Sequence, residues 1–424
     1  MTTVLAELTP QHTLRNTYRD FIHLNTLQSN TTQYNEFLSF MKLYNKTYAN
    51  STVEQYRYNI FQHNLHIIAQ ANAQHIINID HEFNYNITDL TIYGINQFSD
   101  LTQNEFNSLY RTYRVHNYDK QTIDSVVQLP IHTPIPDFNV NEATVNFTTG
   151  DTIAMSDTLN ITANTNQYIN NTMNTVRRKL KQYTTSNTNR PKLPPGVDWS
   201  LMGATTAVGS QGTCGACWSF SSVEQLESQY YIQTGILPVL SIQQVTSCDP
   251  NNDGCSGGDP TVAYQYINQY GVMLAQYDKY TNGDSTVTES CQYTSSLARY
   301  RLTGWRWASP PCTSQDPLCQ NVNELLLAQQ ITAYGPASIC ITADNFQFYT
   351  GGIMNDITCS SGLYSMDHCL QLVGYGTGTT GQMYWILKNQ WGTAWGEDGY
   401  MRLGMGRNLC GIANEASFVA VQDL

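Results

Sequence analysis

The most informative stretch of the chain reads Gln211-Gly-Thr-Cys214-Gly-Ala-Cys217-Trp218-Ser-Phe220, and it leads into a predicted amphipathic helix. Apolar residues then recur every three or four positions until Gly235: Phe220, Val223, Leu226 and Tyr230. A helix N-terminus carries partial positive charge, which favours thiolate over thiol. The pattern therefore predicts a nucleophilic cysteine, Cys217, in the first helical turn. Taken alone, the Cys-x-x-Cys spacing also fits half a zinc site or a redox pair.

Composition narrows the class of protein. The chain has 424 residues, enough for two to three domains, and its 41% hydrophobic residues can fill a sizeable core. The net charge of −12 argues against nucleic acid as a partner, because no basic stripe is available to replace phosphate counterions. No run of about 18 apolar residues occurs, so we expect a soluble protein without a membrane span.

Cysteine and histidine are distributed unevenly. All 11 cysteines lie between Cys214 and Cys410, whereas eight of the nine histidines precede residue 133, which leaves His368 alone in the C-terminal half. A thiol nucleophile needs a base near neutral pH, and an imidazole is the usual one, so His368 is the candidate. One reactive thiol would leave ten cysteines for five disulfides. That density predicts an oxidising compartment.

The N-terminal half carries signals of secretion, but they conflict. Seven Asn-x-Ser/Thr acceptors precede residue 191, which would make this the glycosylated half. The first seven residues lack the basic start and apolar core of a signal peptide. We expect a lysosomal, vacuolar or secreted glycoprotein whose signal peptide is not visible in this chain.

Three segments are predicted before the cysteine-rich half. Residues 1–33 form a tail, residues 34–110 a small helical domain, and residues 111–191 an Asn/Thr-rich linker, in which the basic cluster Arg177-Arg-Lys179 is either a cleavage site or a solvated charge run. In the helical domain, five residues recur at steps of four or three and share one helix face: Arg57, Phe61, Asn64, Ile68 and Asn72. A second motif follows, Gly94-Ile-Asn96-Gln-Phe98-Ser-Asp100. A plain surface helix has no need of Arg and Asn on its apolar stripe.

Residues 192–424 are predicted to form one domain with two lobes. Helices come first, at Cys217 and near residues 323–330. Strand-like runs follow at 337–341, 368–373, 383–388 and 399–403. Helices followed by antiparallel strands indicate an α+β protein.

These motifs together resemble a papain-like, cathepsin L-like cysteine protease with an inhibitory propeptide. The matching segments are Cys214-Gly-Ala-Cys217-Trp218, Met366-Asp-His368-Cys-Leu and Lys388-Asn389-Gln-Trp391-Gly, while the stripe of residues 57–72 is similar to the family's ERFNIN propeptide motif. The resemblance covers residues 34–110 and 192–424. It implies a two-lobed protease preceded by a helical propeptide that blocks its own substrate groove until it is removed.

The resemblance also implies catalytic roles. Cys217 would attack the peptide carbonyl, His368 would serve as base and acid, and Asn389 would orient the imidazole. Gln211 would contribute a donor to the oxyanion hole, and Trp391 would screen the His–Asn bond from water.

Disulfides implied by the family are Cys214–Cys255, Cys248–Cys291 and Cys359–Cys410, which argues against the zinc and redox interpretations. Four cysteines lie outside this pattern. We expect Cys312 to pair with Cys319 around a short loop, and Cys340 to pair with Cys369 on neighbouring strands.

Substrate-binding positions follow from the same alignment of motifs. Gly257 and Gly258 would bind an extended peptide through their backbone. The S2 pocket would accept hydrophobic residues and Arg, with Asp259 at its rim and Glu415 at its base; its walls would be Pro260, Cys340, Met366 and Cys369. The chain lacks the histidine pair of the cathepsin B dipeptidase loop, so we expect cleavage inside chains.

Two alternatives remain at this stage: a catalytically silent homologue that acts as a storage or binding protein, and a cysteine acyltransferase or ligase. For the protease, we expect peptide and protein substrates, the chain's own propeptide as intramolecular inhibitor, no metal or cofactor, and a monomer.

Overall fold

A computed structural model describes residues 30–79, 89–113, 193–320, 322–355 and 358–421. The predicted N-terminal tail up to residue 29, nearly all of the linker with its cleavage region, and most of the glycosylation acceptors lie outside the described residues.

The N-terminal domain is built on two helices, α1 (Asn30–Leu43) and α2 (Ser51–Ile79), followed by β1 (Ile92–Tyr93) and α3 (Gln103–Tyr110). The helical pattern that the sequence shows over residues 34–72 is thus divided by a turn near Tyr44, and α1 begins earlier than expected. Aromatic side chains form the contact between α1 and α2: Phe37, Phe40, Tyr58 and Phe61. These rings pack at 5.0–5.4 Å between centroids for the Phe37–Phe61 and Phe40–Phe61 pairs.

Polar residues on α2 hold the segment that follows it. Arg57 donates to the carbonyl oxygen of Asp100 at 3.0 Å and to the carboxylate of Glu105 at 2.8 Å. Asn64 donates to the carbonyl oxygens of Ser99 and Leu101, both at 2.9 Å. These bonds explain why a helical stripe needs Arg and Asn, because they satisfy backbone groups of an irregular, buried segment.

Residues from 193 onward contain a helical part and a sheet. The helices are α4 (Cys217–Thr234), α5 (Ile242–Cys248), α6 (Pro260–Tyr270) and α7 (Glu324–Tyr334). The strands are β2 (Val197–Asp198), β3 (Leu302–Trp307), β4 (Ala337–Ile341), β5 (Tyr349–Gly351), β6 (Ile353–Met354), β7 (His368–Thr377), β8 (Met383–Lys388), β9 (Tyr400–Gly404) and β10 (Glu415–Val421).

The main sheet has the order β3-β10-β4-β7-β8-β9-β6, with β2 also pairing with β7. All its strand pairs are antiparallel except β6 with β9. Strand β5 pairs with β1, so the N-terminal domain adds a strand to the C-terminal one. The predicted α+β class with a preceding helical domain is confirmed.

Five disulfides fix the loops around these elements, and they join the pairs expected from the sequence: Cys214–Cys255, Cys248–Cys291, Cys312–Cys319, Cys340–Cys369 and Cys359–Cys410. Cys217 is the free cysteine of the described residues, and it is buried. In the part of the chain that the structure describes, no helix is both long and apolar enough to cross a bilayer.

Candidate active site

Cys217 lies at the first residue of α4, as the sequence predicts. This helix is buried along most of its length and is tied to β7 by three hydrogen bonds, one of which runs from the Gln371 amide to the Ser228 hydroxyl at 2.8 Å. The Ser221 hydroxyl donates to the carbonyl oxygen of Leu370 at 2.8 Å, and the Gln371 amide donates to that of Glu224 at 2.9 Å. Cys217 belongs to the same buried cluster as Cys369, the residue that follows His368.

His368 is the first residue of β7 and is fully buried. Its Nε2 lies 2.8 Å from Oδ1 of Asn389, an oxygen that also accepts the backbone N–H of Gln390 at 2.9 Å. Because that oxygen is an acceptor, Nε2 carries the proton in the neutral ring, and Nδ1 is left as the basic nitrogen. The backbone of Tyr110 lies beside the ring.

Trp391 and Gln211 complete the surroundings of the imidazole. The Trp391 ring lies 4.7 Å from the His368 ring, at an interplanar angle of 30°. Its indole N–H donates to Oε1 of Gln211 at 3.2 Å, which identifies the other end of this amide as NH2. That NH2 donates one hydrogen to the carbonyl oxygen of Cys214 at 3.0 Å, so a second N–H is available. The structure thus places His368, Asn389 and Gln211 around Trp391, while Cys217 shares a buried cluster with Cys369, the residue that follows His368.

The groove beside Cys217 is filled by Arg111, Thr112 and Tyr113, which directly follow α3. The Thr112 hydroxyl lies 3.8 Å from the Cys217 sulfur. The sequence analysis assigned these residues to the linker, because they carry no periodic pattern. The only available signal was their place immediately after the apolar residues of α3.

Tyr113 occupies the predicted S2 pocket. Its side chain packs in one cluster with Leu363, the Cys312–Cys319 disulfide and three predicted pocket residues, Cys340, Met366 and Cys369. Its hydroxyl donates to the carboxylate of Glu415 and lies 3.4 Å from that of Asp259. Sequence reasoning did not place Leu363 or the Cys312–Cys319 loop at this pocket, because no local pattern in the sequence reports that they pack against Tyr113.

The predicted backbone-binding glycines meet the same segment. Gly258 forms a parallel bridge with Tyr113. At Gly257, φ is +114° and a Cβ would lie 2.0 Å from the Thr112 carbonyl oxygen, so only glycine allows this approach. The next two residues form the start of α6. Asp259 is buried and caps α6 by accepting from the Thr261 N–H at 2.7 Å, and Pro260 is the first residue of that helix.

Comparison with known proteins identifies this arrangement. Residues 193–420 match the family model of papain family cysteine proteases. The chain belongs to the papain family of cysteine proteases. Residues 37–106 match the cathepsin propeptide inhibitor domain, so the protein is a protease zymogen with a propeptide inhibitor.

Some relatives of this protease match nearly the whole chain, and others match about half of it. Cysteine proteinase 1 of Dictyostelium discoideum is 29% identical over 398 residues, which cover 90% of this chain and 91% of the relative. Cathepsin K of Mus musculus is 37% identical over 230 residues, which cover 54% of this chain and 65% of the relative. Among solved structures, digestive procathepsin L 3 of the Tenebrio molitor larval midgut matches with a TM-score of 0.64 and 27% identity, covering 93% of this chain and 100% of that one.

In the protease zymogen, the propeptide is anchored on Trp391. Three propeptide rings meet the indole edge-on at 5.1–5.9 Å: Phe98, Phe106 and Tyr110. The Gln97 amide donates to the Trp391 carbonyl oxygen at 2.7 Å. The propeptide therefore covers the tryptophan that lies on the His368 ring.

Burial sets the protonation of the predicted catalytic pair in the zymogen. Burial raises the pKa of the Cys217 thiol to about 11 and lowers the pKa of His368 to about 4. Near neutral pH the zymogen therefore holds a neutral thiol and a neutral imidazole. The sequence analysis expected the helix N-terminus to favour a thiolate, but in the zymogen desolvation outweighs that field.

Proposed function

We propose that the mature enzyme is a cysteine endopeptidase that works through a Cys217 thiolate and a His368 imidazolium. In this mechanism Nδ1 of His368 takes the thiol proton, the sulfur attacks the peptide carbonyl carbon, and the imidazolium returns the proton to the leaving amine. Water, deprotonated by the same imidazole, then releases the acyl group. The observation that supports this proposal best is the Asn389 contact, because it fixes the tautomer that leaves Nδ1 basic.

The oxyanion formed during attack would be bound by the Gln211 side chain and the backbone N–H of Cys217. Removing one such donor typically costs about 100- to 1000-fold in turnover. Gln211 is held from both ends, by Trp391 and by the Cys214 carbonyl, so its second N–H is preorganised.

The test of this function is hydrolysis of an internally quenched peptide after acid activation, with Cys217→Ala as control. Hydrolysis that depends on Cys217 supports the endopeptidase. A silent homologue would cleave nothing. A ligase would join the acyl group to an added amine in preference to water, and mass spectrometry of the products distinguishes that outcome.

We infer that the S2 pocket accepts hydrophobic side chains and Arg. In the zymogen, Tyr113 makes both kinds of contact: its ring packs against the apolar walls, and its hydroxyl donates to Glu415. A guanidinium presented by a substrate would meet the same carboxylate. Apolar side chains would use the walls alone.

Replacing Glu415 with Gln should lower kcat/KM for substrates with Arg at P2 by roughly 10- to 100-fold, because the guanidinium loses its buried negatively charged acceptor and keeps only a neutral one. Leu at P2 should be affected far less. Steady-state kinetics on a matched peptide pair measures this, and exposed Glu289→Gln provides the control for loss of one charge. Equal losses for Arg and Leu would contradict the assignment of Glu415 to the pocket base.

We also propose that acid releases the propeptide. The pKa of Glu105 lies below its ordinary range: burial opposes this, but hydrogen bonds from Arg57 and Thr102 outweigh it. A carboxylate with a lowered pKa stabilises the folded propeptide above its ordinary pKa, and that contribution is lost as the pH falls through the lowered value.

The five disulfides fit an oxidising compartment, lysosomal, vacuolar or secreted.

Arg57→Gln should speed acid activation about fivefold at a fixed mildly acidic pH. The lost bonds are worth about 1 kcal/mol once their partial exposure is discounted. Gel analysis of propeptide loss against time measures the rate, with exposed Arg299→Gln as the matched control. An unchanged rate in Arg57→Gln would show that these bonds do not hold the propeptide closed.

A further inference from the structure

Arg111 is bound by two carboxylates of the protease domain. Its Nε donates to Oδ2 of Asp367 at 2.7 Å, and Nη2 donates to that oxygen and to Oδ1 of Asp344 at 2.6 Å. The remaining nitrogen, Nη1, donates to Asn107 of the propeptide at 2.9 Å. The Arg111 side chain is only 13% exposed, whereas the Asp344 side chain is 36% exposed. The guanidinium is thus covered, although one of its acidic partners reaches solvent.

The position of Arg111 in the groove follows from its two neighbours. Tyr113 fills the S2 pocket, and Thr112 lies against the Cys217 sulfur. Arg111 is the next residue on the other side of the sulfur. In a substrate, S2 holds a residue before the scissile bond. The Asp344 and Asp367 site therefore lies on the side that receives the leaving-group residue.

The Asp367 carboxylate is held in place by the protease domain itself. Its Oδ1 accepts the backbone N–H of Ala343 at 2.9 Å, which leaves Oδ2 facing the guanidinium. The Asp367 backbone is fixed as well, because its N–H donates to the Ile341 carbonyl oxygen at 3.0 Å. These bonds involve no propeptide residue, so the position of the Asp367 carboxyl group does not depend on the propeptide.

We propose that Asp344 and Asp367 form an acidic S1′ subsite that selects Arg at the first position after the scissile bond. This deepens the proposed endopeptidase function and rests on it. Arg is favoured over Lys because two of its nitrogens bind two carboxylates at once, whereas an ammonium is a single point charge. In the zymogen the propeptide makes the same contact, although its Tyr113 pairs with Gly258 in a parallel bridge. Recognition of a guanidinium by carboxylates does not require one chain direction.

The experiment measures kcat/KM of the acid-activated protease for three peptides. All three have Leu at P2, and they differ only at P1′, which is Arg, Lys or Met. Wild-type protease should show a kcat/KM for Arg about tenfold above that for Met, with Lys between them. In Asp344→Asn the Arg-to-Met ratio should fall about fivefold, and in Asp344→Lys it should fall below one. Asp367 is not substituted, because it precedes His368 and holds Ala343.

Exposed Asp398→Asn is the matched control for loss of one negative charge, at a left-handed position (φ +52°) that Asn also tolerates. It should keep the wild-type Arg-to-Met ratio. A wild-type ratio near one, or a ratio unchanged in Asp344→Asn and Asp344→Lys, overturns the subsite while leaving the endopeptidase intact. Absence of hydrolysis of all three peptides by the wild type would instead overturn the proposed function, and the subsite with it.

Discussion

Replacing His368 with Ala in the mature protease should lower kcat by about 10⁴-fold or more, with little change in the free energy of unfolding. Loss of a base that acts as a unit with its nucleophile has effects of this order in serine proteases. The pH profile should change too, because the limb that reports imidazole titration disappears. Steady-state kinetics over pH 4–8, with thermal unfolding as the check on folding, measures both.

Asn389→Ala provides the graded companion to this variant. It keeps the imidazole but removes the oxygen that fixes its tautomer. We therefore expect a smaller loss of kcat and a shift of the pH-profile limb that reports imidazole titration. If His368→Ala kept more than a tenth of the wild-type kcat, another group would have to be the base. No second histidine lies after residue 192, so that result would contradict the mechanism directly.

Removal of the propeptide should increase the alkylation rate of Cys217 at pH 7 by about 100-fold or more. With a pKa of about 11 in the zymogen, the thiolate fraction at pH 7 is only about 10⁻⁴. Once uncovered beside an imidazolium, the thiol should enter the pKa range of reactive cysteines, up to about 7.5, and the gain in thiolate exceeds the accompanying loss of nucleophilicity. Stopped-time labelling with iodoacetamide, followed by mass spectrometry, measures the two rates.

The same pair predicts how pH acts on the zymogen. The covered His368 has a pKa of about 4, well below the ordinary 6.5, so the open form binds a proton between these values that the covered form does not. Falling pH across this window therefore favours release. Labelling of the intact zymogen should accelerate between pH 6.5 and 4 relative to an exposed model thiol. A constant relative rate across that window would show that protonation of His368 does not drive propeptide release.

Much of this architecture could be predicted from sequence because its signals are local. The Cys217 helix shows its apolar face every three or four residues, and three of the five disulfides follow family spacing. Arg57 and Asn64 stand out because polar side chains on a buried stripe need partners. The partners themselves, backbone oxygens of residues 99–101, are about 35 to 43 positions away, and no periodic pattern reports such pairing.

The least predictable parts are those in which two distant segments meet. Tyr113 reaches Glu415 across 302 positions, and Arg111 reaches Asp367 across 256. The protonation state of Cys217 belongs to the same class. A helix N-terminus is visible in the sequence, whereas burial beneath a propeptide depends on the assembled fold.

The central claim is that Cys217 and His368 form one catalytic pair in the mature protease. It is tested most directly by titrating the acid-activated enzyme with an epoxide inhibitor and mapping the modified residue by mass spectrometry. The account predicts one inhibitor per molecule, bound to Cys217, with activity lost in proportion and labelling greatly slowed in His368→Ala. Unmodified Cys217 in an active enzyme, or equal labelling rates with and without the imidazole, would contradict it.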